Sequence, residues 1–143
     1  MRVDISENIS WIFQKESWFI HVVLTAILKL TIYQFFSDNI SWQLCIIAYN
    51  IITFYFFHWK VGDPFSQDFY NYTFWEQIVE QSEDTIQVRF LALYPAILFI
   101  IINKFVNWNP YLLCIYVVTL FMVTIPKLSF MHLKRIFGYR SRN

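Results

Sequence analysis

His58, Glu76 and Glu80 are the side chains whose types and spacing come nearest to chemistry in this chain. Two carboxylates one helical turn apart, with an imidazole upstream, are the ingredients of a metal site or of acid–base work. The pattern falls short of both. No His or Cys recurs at ligand spacing, and His21 and His132 lie far off in sequence. No serine occupies a Gly-x-Ser-x-Gly elbow, and Gly62 and Gly138, the only glycines, make no phosphate-cradling loop. Paired carboxylates also need a pocket that drives their pKa values apart, and these fall in a segment that reads as exposed. The sequence therefore predicts no metal site, no cofactor and no catalysis, with a small integral-membrane lipid enzyme built on His58 and Glu76 or Glu80 as the alternative. Lys29 also needs an explanation. It lies in the middle of an apolar run, where insertion costs roughly 2.5–3.5 kcal/mol, and shares a helical face with Thr25 and His21, so that face is expected to meet protein. Either the lysine snorkels or pairs with a neighbouring helix, or it contacts a partner chain or a lipid headgroup.

The elements that position these residues are apolar. Runs at 18–36, 40–57, 90–106 and 111–125 fill about half of the 143 residues. At about 1.5 Å rise per residue each comes near the roughly 30 Å hydrocarbon layer. A composition of 57% hydrophobic, 22% aromatic and only 15% charged residues would leave a small soluble fold with an aggregating surface. The expected fold class is an all-α membrane protein with four transmembrane helices, arranged as two antiparallel hairpins about a cytoplasmic amphipathic segment. A net charge of +1 argues against nucleic acid as a partner. Cys45 and Cys114 both fall inside predicted spans, where no disulfide is expected. Residues 1–17 lack the basic segment and small-residue cleavage site of a signal peptide, so the first span is expected to stay in the mature protein.

Orientation follows from the basic residues. Four spans put both termini on the side of the central segment, which holds Arg2, Lys15, Lys60, Arg89, Lys127, Lys134, Arg135, Arg140 and Arg142, against Lys104 on the other. The positive-inside rule places residues 1–17, the loop 58–89 and the basic tail 126–143 in the cytoplasm. Ser37-Asp38-Asn39 and Asn107-Trp108-Asn109-Pro110 are short enough to make helical hairpins. The sequons at Asn8, Asn39 and Asn71 lie in the cytoplasm or hard against the bilayer and predict no glycan. Within the loop, Asp63, Asp68, Glu76, Glu80, Glu83 and Asp84 alternate with Phe65, Phe69, Tyr70, Tyr72, Phe74 and Trp75. After the Gly62 and Pro64 turn, Asn71 or Thr73 can cap a short surface helix with Trp75, Ile78 and Val79 toward lipid and Glu76, Glu80 and Glu83 toward water. The acids are either a solvated face or a docking surface for a basic partner.

Ile125-Pro126-Lys127-Leu128 closes the fourth run, where proline ends the helix and lysine is expected to reach the headgroups. His132 and Arg135-Ile136-Phe137-Gly138 follow. These words resemble the Orm/ORMDL family of endoplasmic-reticulum membrane proteins, whose fourth span likewise ends in Ile-Pro-Lys-Leu with His and Arg-Ile-Phe-Gly beyond. Trp18-Phe19-Ile20-His21-Val22-Val23 and Leu28-Lys29-Leu30 are similar to the first span of fungal members, and Trp42 and His58 keep the family's separation. Gly62-Asp63-Pro64-Phe65 resembles its Gly-Thr-Pro-Phe turn, and Trp75-Glu76-Gln77 its Trp-Glu-Gln, with Phe90 and Pro95 at matching distances. In order and at this spacing the words extend the resemblance over nearly the whole chain.

The resemblance implies a non-catalytic regulatory subunit that binds serine palmitoyltransferase and inhibits it when ceramide is plentiful, giving sphingolipid homeostasis. It implies ceramide contact at Asn8, with Trp11 beside it at the interface, and partner binding through Trp75, Glu76, Gln77, Lys127, His132 and Arg135. Cofactors are expected to be none. A subunit that only assembles the complex is a further alternative, and an Asn8 that merely caps the first helix stays open. Departures are visible. The family's Ser-Arg-Lys-Phe is here Gln87-Val88-Arg89-Phe90, its Lys-Gly pair is split as Lys60-Val61-Gly62, and Ser129 replaces a proline. Without the serine-rich extension of fungal members ahead of Trp18, regulation is expected to rest on lipid sensing rather than kinases.

Overall fold

The computed structural model describes residues 7–60, 62, 67–68, 70–81 and 85–128. Their regular elements are all helical. α1 (Glu7–Ser10) runs into a 3-10 turn over Trp11–Phe13, and α2 spans Ser17–Tyr33. α3 (Asp38–Phe54) is prolonged by a π-turn over Tyr55–Trp59, and α4 spans Phe74–Gln81. α5 (Ile86–Ile102) and α6 (Pro110–Thr124) complete the chain, α6 closing in a 3-10 turn over Ile125–Lys127.

The apolar runs fold as the helices expected of them, with shifted ends. Asp38–Trp59, with 22 residues, and Pro110–Lys127, with 18, are long and apolar enough to cross a membrane. Ser17–Tyr33 and Ile86–Ile102 are apolar but shorter, at 17 residues each. Local chemistry sets the ends. Asn109 accepts from the backbone N–H groups of Tyr111 at 3.0 Å and Leu112 at 3.4 Å, and Pro110 occupies the first turn, where its missing N–H costs nothing. Thr85 caps α5 by accepting from Val88 N–H at 3.4 Å.

α3 is the central helix, packed along α2 on one side and α6 on the other. α5 and α6 are consecutive yet touch sparingly, so the second pair is held mainly through α3. Ile46, Ile47, Ile102, Val106 and Tyr116 are buried where α3, α5 and α6 meet, and the Phe99 and Tyr116 rings stack at 5.0 Å. Inside this core Asn50 donates to Thr119 at 3.2 Å, a polar bond between helices that hydrocarbon surroundings would favour. At the end carrying the two short connections, Asn39 donates to the Asn107 carbonyl at 2.9 Å and accepts from the Asn107 N–H at 2.7 Å. Fully buried Gln43 donates to the same carbonyl at 3.0 Å and accepts from the Asn109 N–H at 3.0 Å. These amides lock the two connections together and satisfy backbone groups that no helix can.

The outward faces are apolar. Phe19, Ile27 and Leu30 on α2, Leu93, Ile100 and Ile101 on α5, and Tyr111, Val118 and Phe121 on α6 are all at least half exposed. Cys45 is buried and Cys114 exposed, both as free thiols. Lys29 receives its explanation inside the chain. Its Nζ lies 2.6 Å from Asp38 at the head of α3 and 4.1 Å from the Tyr33 ring centre, so the charge snorkels to the connection and is neutralised there.

Candidate functional site

At the opposite end from the amide lock, the N-terminal segment folds against α4. Ile9 and Ile12 are wholly buried in a cluster with Phe57, Phe74, Trp75, Ile78 and Leu91. The Trp11 and Phe74 rings lie 5.9 Å apart and those of Phe57 and Phe74 5.3 Å apart. Asn8 sits in α1 between these anchors, and its side chain lies outside the described residues. Trp11 is half-buried beside it.

α4 is turned differently from its expected surface placement. Trp75 and Ile78 face the N-terminal segment and the ends of α3 and α5 rather than lipid, Val79 is exposed, and Glu76 is buried. The reason lies in a capping box. Glu76 accepts from the Thr73 N–H at 2.8 Å and its own N–H donates to Thr73 Oγ1 at 3.3 Å, which stations the carboxylate over its own first turn. Gln77, wholly buried, donates to the carbonyls of Gly62 at 3.0 Å and Tyr72 at 3.3 Å. Gly62 holds φ 119°, a left-handed conformation natural to glycine, and so brings its carbonyl under Gln77. Trp75, Glu76 and Gln77 thus build the layer from within. Asp63, Pro64, Phe65, Glu83, Asp84, His132 and Arg135 lie outside the described residues, as does the rest of the tail from residue 129.

The acid–base trio does not assemble either. Glu76 caps its own helix and Glu80 is exposed, while His58 is set among the rings of Phe54, Phe57 and Trp75, with its Nε2 buried and without a hydrogen-bond partner among the described residues. Among the described residues no group of three or more His, Cys, Asp or Glu side chains is placed to hold a metal ion.

Lys127 corrects another expectation: it turns inward. Its Nζ donates to the Leu91 carbonyl at 3.3 Å and lies 5.5 Å from the Trp75 ring centre. The sequence explains why that carbonyl is available. Pro95 sits four residues later inside α5 and lacks the N–H that would have bonded it. The lysine therefore closes a gap left by the proline and ties the end of α6 to α5 and α4. Lys127→Met should cost about 1–3 kcal/mol with Pro95 present, because a buried carbonyl loses its donor, and much less in a Pro95→Ala background. A double-mutant cycle of unfolding in detergent reads the difference.

Sequence reasoning placed His21 and Thr25 on a protein-facing side of α2, and both are buried. What it missed is their partners. His21 Nδ1 lies 3.0 Å from the Tyr49 hydroxyl on α3, and Thr25 Oγ1 lies 2.9 Å from the Tyr94 hydroxyl on α5. Next to this network an apolar groove of about 350 Å3 runs between α2 and α3, lined by Trp11, Ile20, His21, Leu24, Ile52 and Phe56 among others.

Two apolar helices of membrane-crossing length, two shorter ones, and a layer of short helices closing one end define an all-helical protein whose exposed faces suit a bilayer. Comparison with known proteins narrows the class. The sequence matches the ORMDL family over residues 6–135. An uncharacterized protein of Schizosaccharomyces pombe is 36% identical over 136 residues, covering 92% of this chain and 73% of that one. Protein ORM2 of Saccharomyces cerevisiae is 33% identical over 135 residues, covering 90% of this chain and 62% of the yeast protein. Human ORM1-like protein 2 is 25% identical over 141 residues, covering 94% and 92% respectively. The chain belongs to the ORMDL family.

Proposed function

We propose that the protein is a non-catalytic regulatory subunit of serine palmitoyltransferase that crosses the endoplasmic-reticulum membrane four times, keeps both termini in the cytoplasm, and restrains the enzyme when ceramide accumulates. Family membership is the observation that carries this reading. The apolar outer faces of α2 and α5 support the two shorter spans, since 17 residues at about 1.5 Å each reach the lower limit for crossing. The layer built by Ile9, Ile12, Trp75 and Ile78 supports the sensor, because it fixes α1, and with it Asn8, at one end of the helices. In this reading Asn8 meets the ceramide headgroup, since an amide both donates and accepts, and Trp11 lies at the interface beside it. Trp75, Glu76, Gln77 and Lys127 keep that surface in shape, while His132 and Arg135 in the basic tail meet the enzyme.

The test is to purify the tagged chain after co-expression with serine palmitoyltransferase and to measure long-chain-base synthesis as ceramide is added. The enzyme should copurify and slow. Asn8→Ala should leave copurification intact and raise the ceramide needed for half-inhibition about tenfold, the worth of one lost hydrogen bond in a dry site. Synthesis undiminished by ceramide, or no copurification, would remove the proposal. A response unchanged by Asn8→Ala would reduce the chain to a subunit of assembly alone.

A further inference from the structure

The interior is divided into two cores, one joining α1 and α4 around Trp75 and the other joining α3, α5 and α6 around Tyr116. α3 with its π-turn, and α5, serve both. On α5, Val88, Leu91 and Ala92 pack into the first core and Leu98, Phe99 and Ile102 into the second, so the division falls at Pro95. On α3, Ile46 and Ile47 belong to the second core and Phe57 to the first, and the helix changes to its π-turn between them, at Tyr55. Each helix is therefore irregular where it passes from one core to the other. Prolines and π-turns are among the few features that bend a helix, and two of them at one level make a hinge line. Contacts fix that level: Phe57 and Leu91 share the first core, and the rings of Tyr49 and Tyr94 lie 5.1 Å apart.

We infer that residues 7–13, α4 and residues 86–94 of α5 form one rigid layer that rocks against the other helices about a line through Pro95 and the π-turn, and that Lys127 is its latch. Bending α5 at this step breaks no helical bond, because Pro95 lacks the N–H that would reach the Leu91 carbonyl. What resists is Lys127, whose Nζ donates to that carbonyl at 3.3 Å from the end of α6. Among the described residues α6 gives no side chain to the first core, so this bond, with the Trp75 ring centre 5.5 Å from Nζ, ties α6 to the layer. Tyr94 anchors the pivot on α2. Its hydroxyl lies 2.9 Å from Thr25 Oγ1 and donates to the His21 carbonyl at 3.3 Å. Because α1 carries Asn8, the angle of the layer sets where that residue stands. The inference concerns the chain alone and needs neither the enzyme nor ceramide.

The full chain in lipid nanodiscs, with Cys45→Ser and Cys114→Ala, tests it by double electron–electron resonance between pairs of spin labels. Glu7→Cys with Ile86→Cys lies within the layer. Ile86→Cys with Ile101→Cys, about 22 Å apart along α5, and Ile86→Cys with Tyr111→Cys cross the hinge, and all four positions are exposed. With Lys127 in place both crossing pairs should give narrow distance distributions. Lys127→Met should about double their width while the pair within the layer keeps its own. Lys127→Arg, which retains a donor, should stay narrow. Pro95→Ala restores the helical bond to Leu91 and should make Lys127→Met silent, and this double variant carries the test should Lys127→Met alone prove too unstable to purify: narrow crossing pairs there support the hinge. Crossing pairs unmoved by Lys127→Met, equal broadening of the pair within the layer, or broad crossing pairs in the double variant would each overturn it.

Discussion

Trp75→Ala should lower the unfolding free energy in detergent by about 3–5 kcal/mol, the usual cost of removing a buried indole. Trp75 is 5% exposed and belongs to the cluster that joins α1, α4 and the ends of α3 and α5. Its ring also stands 6.1 Å from that of His58 and 5.5 Å from Lys127 Nζ, so truncation removes a cation–π partner as well as packing. The loss should be local in its first consequence. α3, α5 and α6 keep their own core around Ile46, Ile47 and Tyr116, whereas α4 and the N-terminal segment lose their common anchor. Limited proteolysis should then cut near α4 at protease concentrations that leave the unaltered chain whole, and Trp75→Phe should restore most of the resistance. A cost below about 1 kcal/mol would mean that the layer is held by something else.

Gln43→Leu should be nearly as damaging, at about 2–4 kcal/mol, although leucine fills a similar volume. Gln43 is wholly buried and bonds the carbonyls of Asn39 and Asn107 as donor and the Asn109 N–H as acceptor. Removing the amide strands the Asn109 N–H and leaves the Asn107 carbonyl with Asn39 alone. Denaturant unfolding of Gln43→Leu against Gln43→Ala separates the two contributions: similar losses point to hydrogen bonding, whereas a harmless leucine would point to packing.

The parts of this structure legible in the sequence are those governed by composition and local signals. Four apolar runs became four helices, Thr73 caps α4, Pro110 opens α6, and Ile125-Pro126-Lys127 ends it. What escaped depends on residues distant in sequence. The acids of the central loop read as a solvated face because charge is usually exposed, yet the Thr73 spacing three residues ahead of Glu76 was itself a capping-box signature that accounts for its burial. Lys127 read as a headgroup lysine, since nothing near it in the chain shows that Pro95 leaves the Leu91 carbonyl without a donor. Lys29 and Asp38 are nine residues apart, across a turn, and their pairing needed the geometry of the α2–α3 connection. Tyr49 and Tyr94 were hidden among many aromatics, and only the packing of α2, α3 and α5 singles them out as partners of His21 and Thr25.

Single cysteines, in a chain whose Cys45 and Cys114 are replaced by alanine, can be offered to a membrane-impermeant maleimide in sealed microsomes. Four crossings predict that Glu7→Cys, Lys60→Cys, Ile86→Cys and Ser141→Cys react from the cytosolic side, while Ser37→Cys and Tyr111→Cys react only after detergent is added. Protection of Glu7→Cys, or reaction of Ser37→Cys or Tyr111→Cys in intact vesicles, would contradict the four-span arrangement and with it the placement of Asn8 at the cytosolic surface.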